Sequence, residues 1–145
     1  MVTRRTLALF LLAFFLAAPS PGAEPSFDAA RRDYERLSGD AKAFSDPESW
    51  RKLGLRFERA ARGEHAAEAL YEAGLCAERA ERLAKTGKDE ARALSFYALL
   101  TDKYRDSAVA DDALFRNARL FENRGEIDRA ISAMSPSGCS VRMRR

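Results

Sequence analysis

β-Branched aliphatic residues are scarce in this chain. Valine occurs only at Val2, Val109 and Val141, and isoleucine only at Ile127 and Ile131. Sheets draw on β-branched residues to fill their pleated faces, so so few of them argue against a β architecture. Histidine is scarcer still, with His65 alone. A catalytic zinc site needs about three protein ligands and an open position, which one histidine among scattered glutamates does not supply. Serine, histidine and aspartate form no recognisable nucleophilic arrangement, and no Gly-rich phosphate loop occurs. The two cysteines make a poor structural pair. Cys76 stands in line with Ala69, Ala73, Ala80 and Leu83 at helical spacing, as a small core residue does, whereas Cys139 falls in a loose tail. The adjacent acids Asp111 and Asp112 point about 100° apart on a helix, so they do not converge for acid–base work. They suit the first turn of a helix instead, where negative charge favours the dipole.

What the chain does hold is alanine and leucine. Its 145 residues give room for one domain, and 46% hydrophobic with 32% charged residues suits a soluble helical protein. The fold class expected is all-α.

The stretch from Ala66 to Gly74 returns from Ala110 to Ala118, a period of 44 residues. Each copy runs small, acidic, Ala, Leu, aromatic, then a small residue. A period of this length is the mark of a repeat architecture, in which small residues let helices approach and the Leu and aromatic fill the space beside them.

Six helices follow from the i, i+3, i+4 pattern and its punctuation. Ser26 caps a first helix from about Phe27 to Leu37, and 41–44 adds a turn. Asp46 or Ser45, with Pro47 at the first helical position and Glu48 reaching back to a free amide, starts a second helix ending near Ala61. Its stripe is Trp50, Leu53, Gly54, Phe57 and Ala61. A third helix spans about His65 to Ala84. Thr86 and Asp89 suggest a capping box for a fourth, about Asp89 to Tyr104, striped by Ala93, Tyr97, Leu100 and Tyr104. Asp106 or Ser107 caps a fifth, from about Ala108 to Asn123, which Gly125 ends. A sixth begins at Glu126 and shows Ile127, Ala130, Ile131 and Met134. Because it is short, Ile127, Ile131 and Met134 are expected to form an exposed apolar strip. Short turns would make the six helices three antiparallel pairs.

The ends differ from the body. Arg4 and Arg5, the apolar run 7–18 and the helix-breaking residues 19–23 read as a signal peptide for general secretion, cleaved after Ala23. The apolar run is too short to span a bilayer, and no stable membrane anchor is expected after cleavage. Residues 24–134 form the helical domain. Residues 135–145 are a basic irregular tail, read either as a natural end or as a truncation. The formal charge of +3 includes Arg4 and Arg5, so the exported chain carries +1, and Arg142, Arg144 and Arg145 lie in the tail. The isoelectric point of about 9.1 therefore comes from the ends, and a nucleic-acid partner is not expected.

These residues resemble tetratricopeptide repeats. Leu114, Ala118, Phe121, Gly125, Ala130 and Met134 fall on the motif's positions. Leu70, Gly74 and Ala77, then Ala93, Tyr97 and Leu100, do so with seven extra residues, about two helical turns, around 80–88. Tyr104 to Ser107 followed by Ala110 to Phe115 is similar to the periplasmic variant of the repeat, with Arg105 where proline is usual. That variant occurs in Tol–Pal-associated periplasmic repeat proteins, in outer-membrane assembly lipoproteins, and ahead of the catalytic domain in some N-acetylmuramoyl-L-alanine amidases. The run from Trp50 to Gly74 is most similar to the amidase-associated form.

The resemblance implies an α-solenoid whose first helices line a concave groove. The groove residues would be Tyr71, Leu75, Glu78 and Arg79, then Phe115, Arg119, Glu122 and Asn123. Tyr71 and Phe115 could equally be core residues. The function expected is a non-catalytic periplasmic protein-interaction module in cell-envelope and peptidoglycan maintenance, docking an envelope protein or peptide, with no catalytic residue, cofactor or metal. The alternative is the leading portion of a zinc-dependent amidase whose catalytic domain is missing from this chain.

Overall fold

The computed structural model describes residues 26–134, and every regular element among them is helical. The signal-peptide reading of 1–23, the tail 135–145 and Cys139 lie outside the described residues. The first three helix starts can each be traced to a side-chain cap. The Ser26 hydroxyl accepts from the Ala29 amide at 3.2 Å and opens α1 (Phe27–Gly39). The Asp40 carboxylate accepts from the Lys42 and Ala43 amides at 2.9 and 3.0 Å, which turns the short segment after it into α2 (Ala41–Phe44).

Asp46 caps α3 (Pro47–Ala60), accepting from the amides of Glu48 and Ser49 at 3.2 and 2.9 Å. The Ser49 hydroxyl also donates to it, at 2.7 Å, and this bond leads the effects that hold the Asp46 carboxyl below its ordinary range. Glu48 does not reach back to an orphan amide; its carboxylate takes an Arg51 N–H at 3.4 Å.

A 3₁₀ turn, Gly63–His65, leads into α4 (Ala66–Ala84), followed by α5 (Lys88–Lys103), α6 (Ala110–Asn123) and α7 (Ile127–Met134). Two expected caps do not form. Asp89 is no part of a capping box. The preceding helix supplies the acceptor instead: Glu81 takes the Gly87 and Asp89 amides at 2.6 and 3.2 Å. The start of α6 has no side-chain cap, and the Ser107 hydroxyl finds no partner. The chain reaches α6 through backbone turn bonds, Ser107 N–H to Tyr104 and Ala110 N–H to Ser107. Gly125 does end α6. Its φ of +73° puts it in the left-handed region, the Glu126 amide returns to the Phe121 carbonyl, and the Gly125 amide returns to Glu122, the Schellman arrangement.

Helices that follow one another in the chain pack on one another: α3 on α4, α4 on α5, α5 on α6, α6 on α7, with α1 against α3. Two glycines on this path meet a neighbouring helix. A β-carbon on Gly54 would lie 3.2 Å from the Cys76 β-carbon, so α3 and α4 meet closely there. At Gly74 a β-carbon would strike the Tyr97 ring of α5. The core around these contacts is built from Phe57, Cys76, Tyr97 and Leu100, with alanines between. Burial pushes the Cys76 thiol well above its usual range, which makes it an unreactive core residue.

The two copies of the repeat open α4 and α6 at the same point. Ala66 and Ala110 are each the first residue of their helix. Ala69 and Ala113 are both fully buried, and Gly74 and Ala118 are both buried. The extra residues of the first copy lengthen α4, which has 19 residues against 14 in α6. At the far end Ile127, Ile131 and Met134 are 53%, 62% and 52% exposed, as the sequence led one to expect.

Candidate functional site

A groove of about 600 Å³ runs along the C-terminal halves of α4 and α6, with the first turn of α5 at one end. Glu78, Glu81, Arg82 and Lys85 line it from α4 and its end, Arg116, Arg119, Leu120 and Asn123 from α6, and Glu90 from α5. The positions 75, 78, 82 and 85 form one stripe, so the same periodicity that buries the other face of α4 delivers these side chains to this one. A smaller hollow of about 210 Å³ continues past Glu78 and Arg82 toward Leu75, Arg79, Tyr34, Phe44 and Trp50.

A chain of polar contacts joins three helices under this surface. The Tyr97 hydroxyl donates to Glu78 Oε1 at 2.5 Å. Arg116 Nη1 donates to both Glu78 oxygens at 3.2 and 3.3 Å, and its Nε donates to the Tyr71 hydroxyl at 3.0 Å. Burial is the main reason the Tyr97 phenol is pushed far up, with the Glu78 charge adding to it, so Tyr97 stays a proton donor. For Arg116, burial works against the charged form, but Tyr71 and Glu78 outweigh it and the guanidinium is held more firmly protonated than usual. In the smaller hollow the Arg79 guanidinium lies 4.4 Å from the Phe44 ring centre and 5.4 Å from that of Trp50. Trp50 itself is fixed by its N–H, which donates to the Phe44 carbonyl at 2.8 Å.

The expected groove residues separate into groups. Glu78, Arg119 and Asn123 line the larger groove, and Leu75, Glu78 and Arg79 the smaller hollow. Tyr71, Phe115 and Glu122 line neither. Tyr71 is half-buried against the core and carries the Arg116 contact, whereas Phe115 is 51% exposed with the Arg119 guanidinium 5.8 Å from its ring. Glu122 is exposed. Sequence reasoning missed Arg82 and Lys85, although they continue the 71–75–78 spacing. It also missed Arg116, which shares a helical face with Arg119 and Asn123. Glu81 was missed too, although it stands three residues after Glu78 and four before Lys85. Glu90 carried no such signal, because its groove neighbours come from other helices.

His65 is exposed and stacks on Phe27, with ring centres 5.0 Å apart. Among the described residues no three His, Cys, Asp or Glu side chains gather where they could hold one metal ion. No helix among them is long and apolar enough to cross a membrane. Asp111 and Asp112 are exposed in the first turn of α6. No protein-family model, no curated protein and no solved structure matches this chain.

Proposed function

We propose that this chain is a non-catalytic docking module, built as a tetratricopeptide-like stack of helix pairs, that works in the periplasm on cell-envelope and peptidoglycan maintenance. The observation that carries the reading is the placement of the repeat. Two copies 44 residues apart open two helices, and these two helices share one groove lined by arginines and by polar side chains. A unit that presents successive first helices to one side offers an extended binding surface rather than a closed reaction chamber. The residues ahead of Glu24, with Arg4, Arg5 and the apolar run, support export.

Export and docking are tested separately. Mass spectrometry of protein recovered from a periplasmic fraction is expected to show Glu24 at its start. Recovery only of a chain still carrying residues 1–23 contradicts export with cleavage. For docking, Arg119→Ala combined with Asn123→Ala removes two exposed side chains that line the groove and leaves the core alone. The variant is expected to keep its helical circular dichroism and lose recovery of an envelope partner. Undiminished recovery contradicts the groove as the docking face. Tyr71→Ala is a poorer probe, because Tyr71 also holds Arg116.

A further inference from the structure

We propose that the groove between α4 and α6 takes an acidic, extended peptide segment of a partner protein. The inference rests on the docking reading above and adds the chemistry of the occupant. It follows from how the charges along the groove are already engaged. Each acid in the lining has a partner within the protein. Glu78 accepts from Tyr97 and Arg116, Glu81 accepts from the Gly87 and Asp89 amides, and Glu90 faces Arg124 at 3.7 Å. The cations divide differently. Arg116 is held by Glu78 and Tyr71, while no carboxylate among the described residues pairs with Arg82, Lys85 or Arg119.

The surface left for a ligand is therefore positive, even though acids and bases are nearly balanced in the lining. Arginine side chains without a carboxylate partner favour a planar carboxylate, which they can hold through two N–H bonds at once. Leu120, buried in the same lining, adds an apolar contact, so the occupant is expected to interleave aliphatic side chains with acids. The chain's own tail is a poor occupant, since Arg142, Arg144 and Arg145 carry the sign of the groove. Nucleic acid is disfavoured by the three glutamates in the same lining, for a phosphate backbone needs a continuous basic face.

The experiment is a fluorescence-anisotropy titration of the exported full chain. The probe is a short labelled peptide alternating glutamate and leucine, capped at both ends. Its counterparts carry glutamine or lysine in place of glutamate. The glutamate peptide is expected to bind, and to bind more weakly as salt is added, because exposed charges are screened over about 8 Å at physiological ionic strength. Arg82→Gln with Arg119→Gln should weaken it by about tenfold, the loss of two charge-assisted contacts. Arg32→Gln, an exposed cation on α1, should leave it unchanged.

Equal binding of the glutamine peptide overturns the inference, as does an unchanged affinity in the double variant or an equal loss in Arg32→Gln. Tighter binding of a single-stranded oligonucleotide at the same residues also overturns it, in favour of a nucleic-acid site. Binding of the glutamine or lysine peptide alone, lost in Arg119→Ala with Asn123→Ala, defeats the acidic occupant and leaves the docking reading standing. Failure of every peptide defeats both.

Discussion

The ring of Tyr97 on α5 lies against the main chain of Gly74 on α4, where any β-carbon would collide with it. This contact joins the core to the groove. On one side it closes the core, since Tyr97 is fully buried. On the other it sends the Tyr97 hydroxyl out to Glu78, and through Glu78 to Arg116 on the groove. The small residue at the end of the repeated stretch is thus the place where packing and the candidate site meet.

Gly74→Ala is expected to destabilise the protein. Alanine favours a helix interior over glycine by about 1 kcal/mol, but a β-carbon pressed into a fixed ring costs more than that. The net loss should be about 2 kcal/mol in urea unfolding. Gly39→Ala is the contrast, because a β-carbon there meets nothing within 4 Å. It should leave stability unchanged or raise it by about 0.5 kcal/mol. A neutral Gly74→Ala would mean that Tyr97 does not sit on the α4 backbone.

Asp89 is 4% exposed and receives the Arg51 guanidinium as a fork, with Nε and Nη2 at 2.9 and 2.7 Å from Oδ2. The bond ties α3 to the start of α5, across 38 residues of sequence. Asp89→Ala is expected to cost about 1–3 kcal/mol by chemical denaturation, because the acceptor is removed while the Arg51 guanidinium stays behind without it. Asp89→Asn keeps the shape and should fall between. If Asp89→Ala unfolds at the same denaturant concentration as the parent, the bridge does not hold α3 to α5.

Glu72 gives a pH signature. Burial pushes its carboxyl above the ordinary value of 4.5, against the pull of Arg31 and Arg116. Between the ordinary and the raised value the folded chain holds a proton that the unfolded chain has released. The contribution of Glu72 to stability therefore falls as pH rises through that window, and remains lower above it. Glu72→Gln should accordingly raise the melting temperature modestly at pH 7. The gain should vanish below pH 4.5, where the parent carboxyl is protonated in both states. A gain of the same size at both pH values would contradict a raised carboxyl.

Much of the helical order was legible because it is local. The stripe of Trp50, Leu53, Gly54 and Phe57, the caps at Ser26 and Asp46, and the stop at Gly125 each depend on residues a few positions apart, and all appear where expected. What was not legible lies between helices. Asp89 looks like a capping acid in sequence, yet Arg51 claims its carboxylate and Glu81 takes over the amides. The same holds for the groove. Leu75, Glu78 and Arg79 were expected from the resemblance, and their spacing on one helix agrees with it, but the joining of Glu78 to Arg116 needs α4 and α6 to be side by side. Tyr71 shows the limit most clearly, since its aromatic character suggested a partner contact and its hydroxyl instead anchors Arg116.

The face shared by α4 and α6 is the surface proposed to meet a partner. Asn123, exposed and lining the groove, is the position from which to ask. A photoreactive p-benzoylphenylalanine placed at position 123 of the exported chain should, on illumination in intact cells, capture a discrete envelope protein, while the same probe at position 32 on α1 captures none. No adduct from position 123, or the same adduct from both positions, would contradict the account.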